Sequence, residues 1–305
     1  MQQRELTLSV ILVVYNMQRA APRSVQSLLQ PYQRGISAES YEVIVVDNGS
    51  DSPLTSLPGQ EGCAGVHTIR LENAPPSPAR AINLGIEQAR GQIVAIMVDG
   101  AHMLTPGALR HGLDLFAALA NPVVALPQFF LGPGPQTVTV GQGYDEAAED
   151  ALLAQIGWPD DGYRLFEIGV PYRIEPGGKR PQLFWFVRLF ESNCLFARRE
   201  AIERVGGCDE RFDLPGGGLL LPDLYRRLAD LPDAELVQLL GEASFHQVHG
   251  GTSTNVTREQ QKAQLSDYLA QYQAIRGEAF EVSQKPLKFY GHMPTPHARR
   301  LMLTG

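Results

Sequence analysis

The stretch that decides the fold is IVAIMVDGAH, residues Ile93–His102, in which an apolar run ends abruptly at Asp99. A continuous apolar run rich in β-branched residues is typical of a buried parallel strand. The following segment, TPGALRHGLDLFAALA, starts like a helix, with Thr105 as N-cap and Pro106 at the first helical position. Asp99 and His102 are therefore predicted on a loop at the carboxyl edge of a sheet, where α/β proteins bind ligands. A hairpin turn beginning at Asp99 is the alternative interpretation.

Strand and helix patterns alternate through the first hundred residues. Strands are predicted at Leu8–Tyr15, within YEVIVVDNGSDSP, at Val66–Leu71 and at Ile93–Val98, and helices at Arg19–Pro31 and within PSPARAINLGIEQARG. This alternation predicts an α/β fold with a doubly wound, mostly parallel sheet and right-handed crossovers. The sequence has no G-x-G-x-x-G after the first strand and no G-x-x-x-x-G-K-[ST] motif, which argues against dinucleotide-dependent dehydrogenases and P-loop proteins.

From Asn121 to Ser192 the periodicity fades, and glycine, proline and aromatic residues accumulate. We interpret this segment as a loop-rich insertion that shapes a substrate pocket. Elements predicted from here onward are strands at Thr137–Val140, Phe184–Leu189, Cys194–Phe196 and Leu236–Leu240, and helices at Glu146–Ile156, Arg199–Val205, Pro222–Leu228 and Arg258–Ile275. The tail from Leu287 contains two prolines, and we expect it to drape over the body or to reach a partner.

The overall charge and the cysteines restrict the class of protein. A net charge of -7 gives no general attraction to nucleic acid or anionic lipid. The cysteines Cys63, Cys194 and Cys208 show no C-x-x-C spacing, which favours a reducing compartment over a disulfide framework or a thiolate metal site. The apolar run near the N-terminus is too short for a membrane span or a signal peptide, and no longer run follows, so a cytoplasmic protein is predicted.

Four segments in order resemble a family 2 glycosyltransferase with a GT-A fold, namely LSVILVVYN, YEVIVVDNGSDS, ARAINLGIEQARGQIVAIMVDG and CLFARREAIERVGGCDERFD. The resemblance implies a GT-A domain over residues 1–255, with a nucleotide-binding half at 1–110 and a mixed acceptor-binding half at 111–255. A C-terminal helix and extended tail follow at 256–305. The resemblance also implies transfer of a sugar, with inversion, from a nucleotide-sugar, expected to be UDP-linked, to a hydroxyl of a glycan or another acceptor.

Three positions match residues that lie beside the nucleotide in this family. Asp47 matches the acid that accepts the N3–H of uracil, and an ionised carboxylate suits that role because it only accepts hydrogen bonds. An Asx-type turn through Asn48 is the alternative role for Asp47. Arg80 and Asn83 match the other two positions, and the fixed donor fork of arginine suits a diphosphate. An ordinary solvated helix position is the alternative for Arg80.

The resemblance implies that Asp99 is the first aspartate of a D-x-D motif, which binds a divalent cation bridging the two phosphates. The sequence departs from that motif, because Ala101 occupies the second acidic position and His102 follows it. An imidazole ligand favours Mn²⁺ over Mg²⁺. In FHQVHGG, His249 matches the family histidine that reaches the cation. Positions three apart in an extended segment face opposite sides, so we expect a hydrogen-bonded core role for His246.

The family's Glu-Asp pair, of which one carboxylate serves as general base, is missing here. Leu220 and Leu221 occupy those positions, so Asp223 is the first candidate for the base and Glu191 the second, with Asp213 as a further carboxylate. A helix-capping charge is the alternative role for Asp223. A degenerate, non-catalytic GT-A module that binds a glycan, a nucleotide-sugar or a partner enzyme is the alternative function. A nucleotidyltransferase would need a Gly-rich, basic loop after the first strand, which VVYNMQRAAPRS lacks.

Overall fold

The computed structural model describes residues 6–59, 65–172, 184–250 and 258–300. Its strands are β1 (Leu8–Val14), β2 (Tyr41–Asp47), β3 (Val66–Arg70), β4 (Ile93–Met97), β5 (His102–Leu104), β6 (Pro122–Ala125), β7 (Gln128–Leu131), β8 (Gly169–Pro171), β9 (Leu195–Arg198), β10 (Glu235–Leu240), β11 (Ser244–His246) and β12 (Leu287–Gly291). Its helices are α1 (Ala20–Leu28), α2 (Ala79–Gln88), α3 (Ala108–Ala118), α4 (Gln136–Thr139), α5 (Glu146–Gln155), α6 (Leu165–Ile168), α7 (Arg199–Arg204), α8 (Leu220–Ala229), α9 (Arg258–Arg276) and α10 (Pro296–Arg300).

The central sheet has eight strands in the order β12-β10-β6-β9-β4-β1-β2-β3. All neighbouring strands run parallel except that β9 is antiparallel to both β4 and β6. An antiparallel strand begins at the edge where its parallel neighbours end. The residues just before β9 are therefore at the carboxyl edge of the sheet, beside the end of β4.

Both faces of the central sheet are buried, which explains why its strands are continuous apolar runs. Along β1, Leu8, Val10 and Leu12 pack with α1 and α3, whereas Ile11 and Val13 pack on the opposite face with α2 and α8. This arrangement confirms the α/β fold with a mostly parallel, doubly wound sheet that the sequence predicts.

A smaller sheet of four strands, in the order β5-β11-β7-β8, covers the carboxyl edge of the central sheet. Strand β11 pairs antiparallel with β5 and parallel with β7. An aromatic core supports it, in which Phe129, Phe166, Trp185 and Phe245 pack ring against ring. Since β5 starts only two residues after Gly100, the DGAH segment leads directly from one sheet into the other.

Two sequence predictions of strands are wrong. The segment predicted as Thr137–Val140 is the helical turn α4, and Phe184–Phe186 forms a 3₁₀ turn. In the first case the backbone N–H groups of Val138 and Thr139 both donate to the carbonyl of Pro135, so local hydrogen bonds replace a ladder. The N-cap prediction is also wrong, because α3 begins at Ala108 while the Thr105 hydroxyl donates to the buried carboxylate of Glu242.

The tail contributes a strand to the central sheet and does not merely lie over the body of the protein. Strand β12 pairs parallel with β10 and forms one edge. The fully buried residue Ala298 accepts a 2.9 Å hydrogen bond at its carbonyl from the indole N–H of Trp185. Within the described ranges, none of the helices combines the length and the apolar character that crossing a bilayer requires.

Candidate active site

The end of β4 holds Asp99 in a fixed orientation. The side chain of Asn193, just before β9, accepts a 2.9 Å hydrogen bond from the N–H of Asp99 and donates to its carbonyl. One carboxylate oxygen, Oδ1, accepts from the N–H of Ala101 at 2.9 Å, which leaves Oδ2 facing the site. A Cβ at Gly100 would lie 2.4 Å from Cγ1 of Val14, so the turn passes β1 too closely for any side chain.

Two histidines converge on Oδ2 of Asp99. Nε2 of His246 lies 3.2 Å from Oδ2, and Nε2 of His249 lies 3.4 Å from it. The two Nε2 atoms are 3.0 Å apart. The two histidines therefore lie on the same side, and the expectation that positions three apart face opposite sides is wrong here. His246 is buried and hydrogen-bonded, as expected of a core residue, but it also contacts Asp99. Whether either histidine binds a metal stays a prediction.

The chain path after β11 explains this correction. Strand β11 ends at His246, so the two-residue alternation of a strand stops there. The N–H of Val248 donates to the fully buried carboxylate of Glu149 in α5 at 2.7 Å, and Arg19 donates to the same carboxylate at 3.0 Å. This anchored turn brings His249 back to the side of His246.

The hydrogen-bond network defines the tautomer of His246. The side-chain amide of Gln136 donates through Nε2 to the carbonyl of His246 at 3.0 Å, so its Oε1 is the end that faces the imidazole. Nδ1 of His246 lies 2.6 Å from that oxygen and must be the protonated nitrogen. In the neutral imidazole Nε2 therefore carries the lone pair, and a hydrogen bond from Nε2 to Asp99 requires the doubly protonated ring.

His102 is the third histidine of the cluster. It stands directly opposite His246 in the antiparallel β5–β11 pair, with 4.8 Å between ring centroids. Its Nδ1 lies 3.2 Å from the hydroxyl of Ser244. One ligand atom from each of Asp99, His102 and His246 lies within 4.8 Å of the others, as the binding of one metal ion by three side chains requires.

Electrostatics at the cluster favour an ionised aspartate beside a cation. Burial opposes ionisation of Asp99, but the charges and hydrogen bonds of His249 and His246 outweigh it and hold its pKa well below the usual range. Burial also opposes protonation of His249, yet the carboxylate of Asp99 outweighs burial and raises the pKa of that imidazole. Burial lowers the pKa of His246, and it lowers the pKa of His102 to about 3.

Glu191 lies close to this cluster. It comes two residues before Asn193, which binds the backbone of Asp99. Glu191 is half-buried, and desolvation raises its pKa to about 7. Together with burial, its carboxylate raises the pKa of Tyr172 to about 12, so the two side chains are near one another. The ring of Tyr172 contacts Phe130, whose ring packs against His246.

Asp223, the other predicted base, lies in a different environment. Its buried carboxylate accepts from Nε of Arg227 at 2.7 Å and from Nε and Nη2 of Arg276 at 2.6 and 2.7 Å. These bonds tie α8 to the end of α9. Leu220 and Leu221, at the start of α8, are buried in the core. Among the described residues, the contacts of Asp223 connect helices and do not reach the Asp99 cluster.

Asp47, which is predicted to accept a hydrogen bond from uracil, ends β2 as expected. It also forms the Asx-type turn that was its alternative role. Its Oδ1 accepts from the N–H of Ser50 at 2.8 Å, and its Oδ2 accepts from Arg70 at 2.8 Å. The side chain is buried. A contact of Asp47 with a base remains a prediction.

Asn83 and Arg80 lie on α2. The amide of Asn83 donates to the carbonyl of Cys208 and accepts from its N–H, both at 2.9 Å, so it pins the loop after α7 to α2. The exposed Arg80 lines a cavity of about 270 Å³, whose wall also includes Asp213 and Ser77. Contacts of Arg80 and Asn83 with a nucleotide remain predictions.

Sequence reasoning missed Gln136, Glu149, Asn193 and the part played by His246. Gln136 and Glu149 lie in the segment where periodicity fades, so nothing in the pattern connects them with a histidine more than 95 positions away. The sequence could have indicated Asn193, because a polar residue just before an antiparallel strand lies at the carboxyl edge of the parallel strands. This inference requires the direction of β9, which the sequence alone does not give.

Residues 9–139 match the family model described as Glycosyl transferase family 2. The structure of S. aureus TarS 1-349 resembles the chain with a TM-score of 0.53 and 14% identity, over 89% of this chain and 73% of that one. The mannosyltransferase PcManGT from Pyrobaculum calidifontis, in complex with GDP-Man and Mn²⁺, gives a TM-score of 0.56 and 16% identity, over 90% and 65%. The chain has a GT-A fold.

Two other S. aureus TarS structures also resemble the chain. TarS 1-349 in complex with UDP-GlcNAc matches with a TM-score of 0.54 and 14% identity, over 88% of this chain and 67% of that one. The chain spans 44% of the longer S. aureus TarS structure. A search of curated proteins finds no significant match. The family match includes Asp99 but ends before Glu191, His246 and His249, so these three residues lie beyond the matched segment.

Proposed function

We propose that the protein is a metal-assisted, inverting glycosyltransferase that moves a sugar from a nucleotide-sugar, UDP-linked in our reading, to a hydroxyl acceptor. The observation that carries the proposal is the convergence of Asp99, His246 and His249 at the carboxyl edge of the GT-A sheet. This edge is where α/β sheets of this type bind their ligands. The family match over residues 9–139 and the donor-bound neighbours support the reaction class.

The donor set suits a divalent cation. Oδ2 of Asp99 and the Nε2 atoms of His246 and His249 are 3.0–3.4 Å apart, and the bond from Gln136 makes Nε2 of His246 an acceptor. Acceptor atoms packed this closely need a cation or a shared proton between them. Asp99, His246 and His249 would hold the metal, with His102 as a further ligand. A bound cation would neutralise the charge that develops on a departing diphosphate.

Imidazole ligands favour Mn²⁺ over Mg²⁺, because Mg²⁺ prefers oxygen ligands in octahedral geometry. Two or three histidines would thus replace the carboxylate that is missing at Ala101. The hydrogen bond between Nδ1 of His246 and Gln136 supports this arrangement by fixing both the ring orientation and the tautomer of His246.

Glu191 is the general base in our proposal. A base is most effective when its pKa lies near the working pH, and desolvation raises the pKa of Glu191 to about 7. In its ionised form it would take the proton from the acceptor hydroxyl as that oxygen attacks the anomeric carbon and the nucleoside diphosphate departs from the opposite face. Asp223 is unsuited to this role because two arginines occupy both of its oxygens.

On the nucleotide side, we propose that Arg80 binds the diphosphate and that Asp47 and Asn83 shape the base pocket. Arg80 is exposed and lines the cavity beside the start of α2. Asp47 would accept from a uracil N3–H with the lone pairs that Ser50 and Arg70 leave available, since a carboxylate has about four acceptor positions.

A thermal-shift screen of nucleoside diphosphates and nucleotide-sugars, with and without Mn²⁺, tests the proposal, because a ligand that binds only the native state raises the midpoint of unfolding. We expect UDP or a UDP-sugar to stabilise the protein only when Mn²⁺ is present, and Asp99→Asn to remove the shift. Glu87→Gln is the matched control, since it removes an exposed carboxylate of α2. The absence of any shift with every donor tested would overturn the proposal.

A second candidate function is nucleotide-sugar binding without transfer. It is favoured by Leu220 and Leu221, which occupy the expected acidic positions and are buried in the core. Release of UDP from a donor in the presence of Mn²⁺ separates the two functions. Slow release that Glu191→Gln abolishes supports the transferase, whereas binding with no release in the presence of any acceptor supports the binding module.

A further inference from the structure

A second cluster of potential metal ligands lies at the ends of β10 and β12. Like the Asp99 cluster, it is at the carboxyl edge of the central sheet. These strands are parallel neighbours whose last residues, Leu240 and Gly291, are register partners. The N–H of His292 donates to the carbonyl of Leu240. A Cβ at Gly241 would lie 1.6 Å from the carbonyl oxygen of His292, so the two strand ends are in direct contact. Glu242 and His292 follow immediately.

The centre of this cluster is Glu242, whose carboxylate is completely buried. Its Oε1 accepts a 2.7 Å hydrogen bond from the hydroxyl of Tyr163 and lies 3.1 Å from Nδ1 of His111 in α3. Its Oε2 accepts from the hydroxyl of Thr105 at 2.5 Å. The rings of His111 and His292 are 4.9 Å apart, and one ligand atom from each of Glu242, His111 and His292 lies within 4.8 Å of the others.

A buried carboxylate needs a compensating positive charge. Buried charges in proteins are either paired with an opposite charge or bound to a metal. Across the ranges that the structure describes, no lysine or arginine forms an ion pair with Glu242, and the ionisable group beside its carboxylate is the imidazole of His111, a side chain that binds metals in its neutral form. The hydroxyl groups of Thr105 and Tyr163 orient the carboxylate without neutralising it.

We propose that His111, Glu242 and His292 form a zinc site that fastens the C-terminal strand β12 to the body of the protein. Two imidazoles and one carboxylate are a characteristic ligand set for Zn²⁺. When zinc–ligand bonds of 2.0–2.2 Å are arranged tetrahedrally, the ligand atoms are roughly 3.4 Å from one another. The His111–Glu242 pair already has a comparable separation of 3.1 Å.

His292 is exposed, which provides both access for the ion and freedom for its side chain to close on it. A water molecule would complete four-coordination. This site is independent of the proposed transferase activity, because it shares no ligand with the Asp99 cluster.

Zinc content of the protein, measured after dialysis against buffered Zn²⁺, tests the inference. The decisive variant is His292→Ala, since the exposed side chain can be removed without disturbing the core. His67→Ala, which removes an exposed histidine of β3 at the far side of the sheet, is the matched control. We expect His292→Ala to lose one equivalent of zinc relative to the wild type and to His67→Ala. The affinity at this site should fall by at least ~100-fold, since loss of a direct ligand costs no less than loss of an outer-shell partner.

His249→Ala distinguishes the two clusters. If both bind zinc, each single variant loses one equivalent and the double variant with His292→Ala binds none. If the Asp99 cluster does not bind zinc, only His292→Ala changes the count, and the second site still stands. Zinc should also raise the unfolding midpoint of His249→Ala but not of the double variant. Equal zinc content in His292→Ala, His111→Ala and the control would overturn the proposal.

Discussion

Replacement of Glu191 by glutamine should stabilise the protein while it removes the proposed base. Desolvation raises the pKa of this carboxyl to about 7 from an ordinary value of 4.5, so the native state resists its ionisation. The wild type therefore loses stability as the pH rises from 4.5 to 7, and above pH 7 the whole penalty is present. The difference between the two pKa values corresponds to about 3 kcal/mol. Glutamine is neutral and has nearly the same shape, so it avoids the penalty.

Urea unfolding of wild type and Glu191→Gln at several pH values measures this difference. We expect equal free energies of unfolding near pH 4.5 and an advantage for the variant that grows to about 3 kcal/mol at pH 8. Glu87→Gln, the exposed control, should stay within about 0.5 kcal/mol of the wild type at every pH. A pH-independent difference between Glu191→Gln and the wild type would refute the assignment of a desolvated carboxyl.

The rate of donor cleavage gives the complementary readout. For the wild type, the rate should rise with pH and level off above about 7, because only the ionised carboxylate can accept a proton. Glu191→Gln should lower the rate by about 10²- to 10⁴-fold and lose this pH dependence. A variant that is more stable and equally active would show that Glu191 is buried near the site without serving as its base.

Three other substitutions test the surroundings of the site. Gln136→Leu should weaken Mn²⁺ binding by 10- to 100-fold in calorimetry without removing a ligand, because His246 loses the partner that fixes its tautomer. Asp223→Asn should lower the free energy of unfolding by about 3 kcal/mol, since it breaks a buried ion pair, while nucleotide binding by the folded fraction stays unchanged. Gly100→Ala should cost 1–3 kcal/mol in chemical denaturation, because its Cβ would overlap Val14.

The elements of the first hundred residues were predictable because their signals are local. The apolar run before Asp99 and the helical spacing around α1 and α2 each lie within a window of about ten residues. These patterns arise because both faces of the sheet are buried. They can be recognised in each segment without knowing which distant segments pack against it. The observed bounds differ from the predicted ones mainly at the element ends.

The rest of the site depends on long-range contacts that no local pattern contains. Whether His249 faces Asp99 is decided by the bond between Val248 and Glu149, 99 positions apart. The sequence makes Asp223 the first candidate for the base or a helix-capping charge, and only the packing of α9 reveals the arginine that binds it. The edge strand β12 was missed for a similar reason, since only its pairing with the distant β10 makes this short and mostly exposed segment a strand.

The 147 positions that separate Asp99 from His246 have a consequence for the order in which the protein acquires its site during synthesis. At roughly 5–20 residues per second, His246 leaves the ribosome about 7–30 s after Asp99. Until then the emerging chain carries the aspartate and His102 without the other two imidazoles, and its affinity for a metal ion must be correspondingly low. The metal ion that we propose would therefore bind only after His246 has been synthesised and β11 has paired with β5.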